Sequence, residues 1–421
     1  MIGVALLAFM LAQGTPSMTV SAARPSVSNQ NLAAASSAQF SEVAPLLAQA
    51  TGSVPSRPAA RPAASKPKSA AVSPPMSAAQ FAELAAKAGK AREANQPDEA
   101  IALYTQAVKA NPAWAEGWWW LGTTFYGQER WTDCRDAFRK FTAMIQNAGP
   151  GFALLSACEF RLGSYRDSLL HAEKGLALGL PPNDPMTAEA RFYHAAALVK
   201  AGDFERAHLM LTMLVREVNA SPEMVALAGL ASLRRAQTIK EIRLDDREVV
   251  FRTGRAFVTA AERNGPDARA LFEELVRDFP NTPNLHYVFG AFLLAGEPDR
   301  GVAELRRELE ITPNHLPALV SLAMEYVKRS EPEQGLPFAK RAAAAAPGNF
   351  AARAAYGRVL LDTDHAAEGL KELEAAVKLA PDSPQVQLGL SQAYAKLGRK
   401  EEAEKARAEF ARLRKALEAR Q

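Results

Sequence analysis

One spacing constrains this chain more than any other property: the same arrangement of aromatic, small and leucine residues returns every 34 residues. Its clearest copy is Trp118, Leu121, Gly122, Phe125, Trp131, Cys134 and Phe138, at positions four, seven, eight, eleven, seventeen, twenty and twenty-four counted from Ala115. Copies in the same frame start at Phe81, Ala115 and Gly149, and again at Thr282, Leu316, Phe350 and Pro384. Looser copies start near Ala188 and Phe251, which makes nine. A chain of 421 residues would ordinarily be expected to hold two to four globular domains. A repeat of this length replaces that expectation with units that stack on their neighbours.

The pattern has a physical reading. Apolar residues at positions four, seven, eight and eleven form a stripe on one helix, and those at twenty, twenty-four and twenty-seven form a stripe on a second. Small residues at eight and twenty let the two axes approach. Proline at thirty-two, as in Pro112, Pro347 and Pro381, ends the second helix. On these residues the repeat resembles the tetratricopeptide repeat, and the resemblance runs from Ser77 onward. It implies an all-α fold: a right-handed α-solenoid of stacked helix-turn-helix tetratricopeptide repeats. In that family the first helices line a concave groove that holds a peptide of another protein.

The expected organisation is a possible signal peptide at 1–23, an Ala/Ser/Pro-rich disordered tether at 24–76, four repeats at 77–221, a degenerate unit at 222–250, and five repeats with a capping helix at 251–421. The apolar run Ile2–Ala12 has the length of a signal core, although no Lys or Arg precedes it. It predicts a periplasmic or secreted protein, with the cytoplasm as the alternative. Within the tether, Phe40–Gln49 reads as coil more readily than as a docking helix. The degenerate unit is expected to keep a first helix from Pro222 and to replace its second with a charged loop through Lys240–Glu248.

Charge and motifs exclude several functions. The net charge is +4, and the five cations and one anion between Arg24 and Met76 account for all of it, so the repeats are neutral and no nucleic-acid partner is expected. No phosphate loop, zinc-binding His-Glu-x-x-His or nucleophile elbow occurs, and the repeats use all the foldable chain. The sequence therefore predicts no catalytic residues, metal, cofactor, small-molecule substrate or stable membrane span. His194 reads as a packing residue. Cys134 and Cys158 read as two small buried thiols, with a disulfide as the alternative in an oxidising compartment.

The expected function is a non-enzymatic scaffold or adaptor that binds other proteins. The alternatives are an envelope or secretion-machinery assembly factor, or the recruiting subunit of an enzyme complex. Of the tryptophan triplet, Trp118 is expected in the core and Trp120 between repeats, leaving Trp119 for the groove. Positions two, five, nine, twelve and thirteen then give an apolar stretch: Trp119, Thr123, Tyr126, Ala157, Phe160, Phe192, Ala196 and Val199. A second stretch follows with Arg252, Arg255, Arg263, His286, Leu293, Val320, Met324, Val327 and Arg358. This predicts a partner with apolar anchors first and acidic groups next. A family subset clamps C-terminal carboxylates with Lys and Asn, but the matching positions here are Trp119, Thr123 and Leu154, so that activity is not implied.

Overall fold

The computed structural model describes residues 76–181 and 184–418. The expected signal peptide, and the tether except Met76, lie outside them. Nineteen α-helices follow one another in the described residues. In the N-terminal part these are α1 (Ala78–Glu93), α2 (Pro97–Ala110), α3 (Ala115–Gly127), α4 (Trp131–Met144), α5 (Gly149–Arg161), α6 (Tyr165–Leu178), α7 (Pro185–Ala201), α8 (Phe204–Glu217) and α9 (Pro222–Ser232). Two 3₁₀ turns, Ile239–Glu241 and Leu244–Asp246, lead to α10 (Arg247–Ala261), α11 (Gly265–Asp278), α12 (Leu285–Leu293), α13 (Pro298–Ile311) and α14 (Leu316–Lys328). The chain ends with α15 (Pro332–Ala345), α16 (Phe350–Asp362), α17 (Ala366–Leu379), α18 (Pro384–Lys396) and α19 (Lys400–Glu418).

First helices start at the predicted Ala115, Gly149, Leu316, Phe350 and Pro384. The other starts move by three or four residues. At the first of them, Ser77 forms a capping box with Gln80, so α1 begins upstream of Phe81.

The turn after the first helix recurs in the two blocks of regular repeats as faithfully as the hydrophobic stripe. A left-handed residue stands two positions beyond the helix at Asn95, Glu129 and Gly163, and again at Ser330, Asp364 and Gly398, each trio spaced by 34. The backbone closes a Schellman-type cap there, with Arg130 N–H donating to the Phe125 carbonyl (2.9 Å) and Glu129 N–H to that of Tyr126 (3.0 Å). The conformation costs roughly 1 kcal/mol at a non-glycine residue, which the cap's hydrogen bonds offset.

The helices fall into two compact units. One comprises residues 76–203 with 210–224, and the other 204–209 with 225–418. In the N-terminal unit the core is aromatic, with Tyr104, Trp119, Phe138 and Phe141 all at most 2% exposed. In the C-terminal unit leucine and alanine dominate, as at Leu319, Leu322, Ala339, Ala342 and Leu373. The degenerate unit keeps its first helix and turn, α9 and the left-handed Arg234, and no second helix follows. Glycines resolve the loss: a Cβ on Gly229 would sit 1.9 Å from the Val250 carbonyl oxygen, and one on Gly254 1.8 Å from that of Val225. Thus α9 packs backbone to backbone on α10 in place of the missing partner.

Candidate interaction surface

The repeat positions expected to line a groove divide into two groups, and in the N-terminal unit most of them are interior. Trp119 is 0% exposed and lies between Phe138 and Phe141, at ring separations of 5.8 and 5.2 Å. Trp118, expected in the core, is half-buried and donates its Nε1–H to the Pro112 carbonyl (2.9 Å). Within the triplet Trp119 is therefore more deeply buried than Trp118, the reverse of the expectation, while Leu121, Gly122 and Phe125 are buried as the repeat pattern requires. The cause is local: Gly122 leaves room for Phe138, whose ring takes the adjacent volume and forms an edge-on contact with Trp119. Trp120 does bridge repeats, under the Arg92 guanidinium at 3.6 Å.

The remaining apolar positions pack against one another. Val199, Ala157 and Ala196 are buried. Phe160 and Phe192 are half-buried, with Tyr193 at 5.6 and 5.5 Å from their rings. Thr123 turns its hydroxyl back to the Trp120 carbonyl (3.0 Å). Tyr126, on α3, donates its hydroxyl to Glu189 on α7, and Arg161 donates to the Tyr193 hydroxyl (2.7 Å). First helices two repeats apart thus meet through a buried polar cluster. Burial pushes the Glu189 carboxyl up to about 7, opposed by the Tyr126 hydrogen bond and by Arg161. Much of the apolar face expected to need a partner is covered by the chain itself, which corrects the assignment of the buried Trp119, Tyr126 and Val199 as groove residues and leaves Thr123, Phe160 and Phe192 half-buried.

A second correction concerns the cysteines. Cys134 on α4 and Cys158 on α5 form a disulfide, with Cα atoms 6.2 Å apart and both residues fully buried. The bond spans 24 residues and joins neighbouring repeats. Closing a loop of this length is worth ~3–4 kcal/mol in the chain-entropy account. Chemical denaturation after full reduction should show the unfolding free energy of the tryptophan transition reduced by that amount, with its midpoint at lower denaturant, all five tryptophans lying between Trp114 and Trp131. An unchanged midpoint would assign the bond no part in stability.

In the C-terminal unit the outcome is mixed. His286 is buried, with Nδ1 2.6 Å from Glu304 and Nε2 3.0 Å from the Pro280 carbonyl, so it belongs to its own helix pair. Leu293 and Val320 are also buried. The α12 repeat is held by the degenerate segment: Asn284 donates to the Leu233 carbonyl (3.0 Å) and accepts from His315 (2.8 Å). Met324 and Arg358 are half-buried, and Arg358 donates to Asp362 (2.8 Å) and to Gln392 on the following first helix. Arg252 is bound to Asp278 (2.7 Å) and Glu248 (3.1 Å). Arg255 and Arg263 are exposed. Two exposed residues on their row, Arg247 and Phe251, were outside the predicted set, although their spacings of eight and four from Arg255 were readable in the sequence.

Among the described residues no group of three His, Cys, Asp or Glu is placed to hold a metal ion, and no helix is long and apolar enough to cross a membrane.

Comparison with known proteins finds tetratricopeptide-repeat family models matching residues 85–148 and 326–387. A curated relative, "Cellulose synthase operon protein C" of Xanthomonas axonopodis pv. citri, is 26% identical over 230 residues, which is 49% of this chain and 15% of the relative's own length. Among solved structures, MamA from Desulfovibrio magneticus RS-1 is 20% identical, covering 39% of this chain and 94% of that one with a TM-score of 0.36. An RS-1 MamA double mutant has the same identity and TM-score, covering 40% of this chain and 95% of that one.

Proposed function

The chain belongs to the tetratricopeptide-repeat family, and from that membership we propose that it is a non-enzymatic scaffold that holds another protein on the exposed faces of its helix pairs. The observation that carries this reading is that the family's repeat occurs in both compact units. Stacked pairs of this kind offer extended helix surfaces, whereas catalysis needs a converging set of reactive groups. The binding face leaves out the buried Trp119, Tyr126 and Val199. It is drawn from exposed and half-buried positions such as Arg255, Met324 and Arg358.

The buried Cys134–Cys158 bond and the apolar run Ile2–Ala12 support work in an oxidising compartment outside the cytoplasm. The likeness to a cellulose synthase operon protein favours, as a second reading, a subunit that organises such a synthase.

The test is purification of the full chain at native level, with crosslinking and with alkylation before and after reduction. The expected result is a stoichiometric polypeptide crosslinked to first helices, and Cys134 and Cys158 labelled only after reduction. A chain that elutes alone at low and high salt would remove the scaffold reading. Freely labelled thiols would remove the exported one.

A further inference from the structure

In the C-terminal unit most arginines are paired. Arg234 meets Glu205, Arg269 meets Glu297, Arg300 meets Glu273, Arg329 meets Glu325 and Asp299, and Arg353 meets Glu372. Among the described residues of this unit, four arginine side chains have no hydrogen bond, ion pair or ring contact: Arg247, Arg255, Arg263 and Arg407. Three of the four fall on one row of α10 and the turn that follows it. The row runs Arg247, Phe251, Arg255, Thr259, Arg263, in steps of four residues, and all but the half-buried Thr259 are exposed. Phe251 is one of the few large apolar side chains left in solvent, at 37% exposure. The row beside it is closed, because Arg252 is held by Glu248 and by Asp278 of α11.

We propose that this row docks an extended acidic segment of a partner protein, with carboxylates on Arg247, Arg255 and Arg263 and an apolar side chain on Phe251. The proposal rests on the scaffold reading and assigns it a site and a ligand class. Spacing sets the sequence it fits. Eight helical residues separate Arg247 from Arg255, a rise of about 12 Å, and Arg263 stands in the turn two residues beyond the helix. An extended peptide covers that distance in roughly four residues. The matching segment therefore carries Asp or Glu at every fourth position, with an apolar residue midway between the first two.

The planar guanidinium fork takes a carboxylate through two parallel hydrogen bonds, and the phenyl ring adds contact area between two such anchors. A polyphosphate or an anionic lipid surface fits less well. Asp245, Glu248 and Glu262 lie next to the row in sequence and break the continuous positive field that a phosphate array requires.

The experiment uses the full chain and a fluorescein-labelled synthetic 12-residue peptide with Glu at every fourth position and Leu midway, titrated by anisotropy at low and moderate salt. The expected result is saturable binding that weakens with salt. Arg247→Glu with Arg255→Glu should weaken it at least tenfold, and Arg247→Gln with Arg255→Gln less. Phe251→Ala should also weaken it, and so should a scrambled peptide with contiguous Glu. Circular dichroism melts of the arginine variants should not move, since both side chains are exposed and unpaired.

Equal binding by the parent and the charge-reversed chain would overturn the proposal. So would displacement of the peptide by oligodeoxythymidylate or phosphatidylglycerol vesicles at lower concentration than by unlabelled peptide. Were the charge-reversed chain to keep the co-purifying polypeptide in full, the scaffold reading would stand and this site would fall. A parent with no such polypeptide removes the scaffold reading instead.

Discussion

Trp119→Ala should destabilise the N-terminal unit by about 3–5 kcal/mol, as removal of a large buried aromatic does, and should leave binding of an acidic peptide unchanged. The side chain has no exposure and packs on both Phe138 and Phe141. Its Nε1 has no hydrogen-bond partner, so truncation loses packing and leaves no polar group stranded. The vacated volume cannot collapse easily, because Phe138 is already pressed against Gly122. In a nearest-neighbour array the damage stays local. Hydrogen exchange should rise in α3, α4 and the helices beside them, while peptides from α14 to α18 keep the parent's protection. A loss below about 1 kcal/mol, typical of a surface substitution, would return Trp119 to the exterior.

The fate of the apolar positions shows which parts of this structure a sequence reveals. Helix pairs, their spacing and most of their starts follow from local patterns: a stripe of period 3.6, small residues at crossings and proline at ends. The left-handed caps are regular in space but invisible in composition, since Asn95, Glu129, Ser330 and Asp364 hold a conformation usually assigned to glycine. The interior of the N-terminal unit was hidden for another reason. Tyr126 and Glu189 are 63 residues apart, and their contact depends on how successive repeats stack, which no single repeat encodes. One cue was present. Helices α5 and α7 carry apolar or small residues on nearly every face, and a helix apolar all round is a buried one. Position rules taken from a repeat assume a solvated inner face, and this composition contradicts that assumption. Arg255, on α10, and Arg263, in the turn after it, are exposed, as a solvated face requires.

Acidification should move the stability of the two units in opposite directions. In the C-terminal unit His315 caps α14: its Nδ1 accepts the Ala318 N–H (3.1 Å), so Nε2 carries the proton donated to Asn284 (2.8 Å). A second proton would have to sit on Nδ1, against that N–H and the positive end of the helix. Burial, with the Arg234 charge adding to it, pushes His315 down from 6.5 to about 4, and burial does the same to His208 beside Ser232 and Phe257. Below pH 6.5 the unfolded chain therefore binds protons that the folded unit refuses. The stability that neutral His315 supplies is complete above pH 6.5 and is lost as pH falls through 4, a change of about 3 kcal/mol for a shift from 6.5 to about 4. His286 and Glu308, both raised, act the other way in this unit, so the variant His315→Asn isolates the term. Asn keeps a capping oxygen and cannot titrate. In the N-terminal unit Glu189 has the reverse sign: raised from 4.5 to about 7, it supplies stability that is complete below pH 4.5 and lost as pH rises through 7. Denaturation followed by tryptophan fluorescence reports that unit alone, because every tryptophan lies in it. Between pH 7 and 4.5 its midpoint should rise in the parent more than in Glu189→Gln. Hydrogen-exchange protection in α14, corrected for the intrinsic exchange rate at each pH, should fall over the same range in the parent more than in His315→Asn. Parallel pH profiles for parent and variant in either unit would show that the group named there does not govern its acid response.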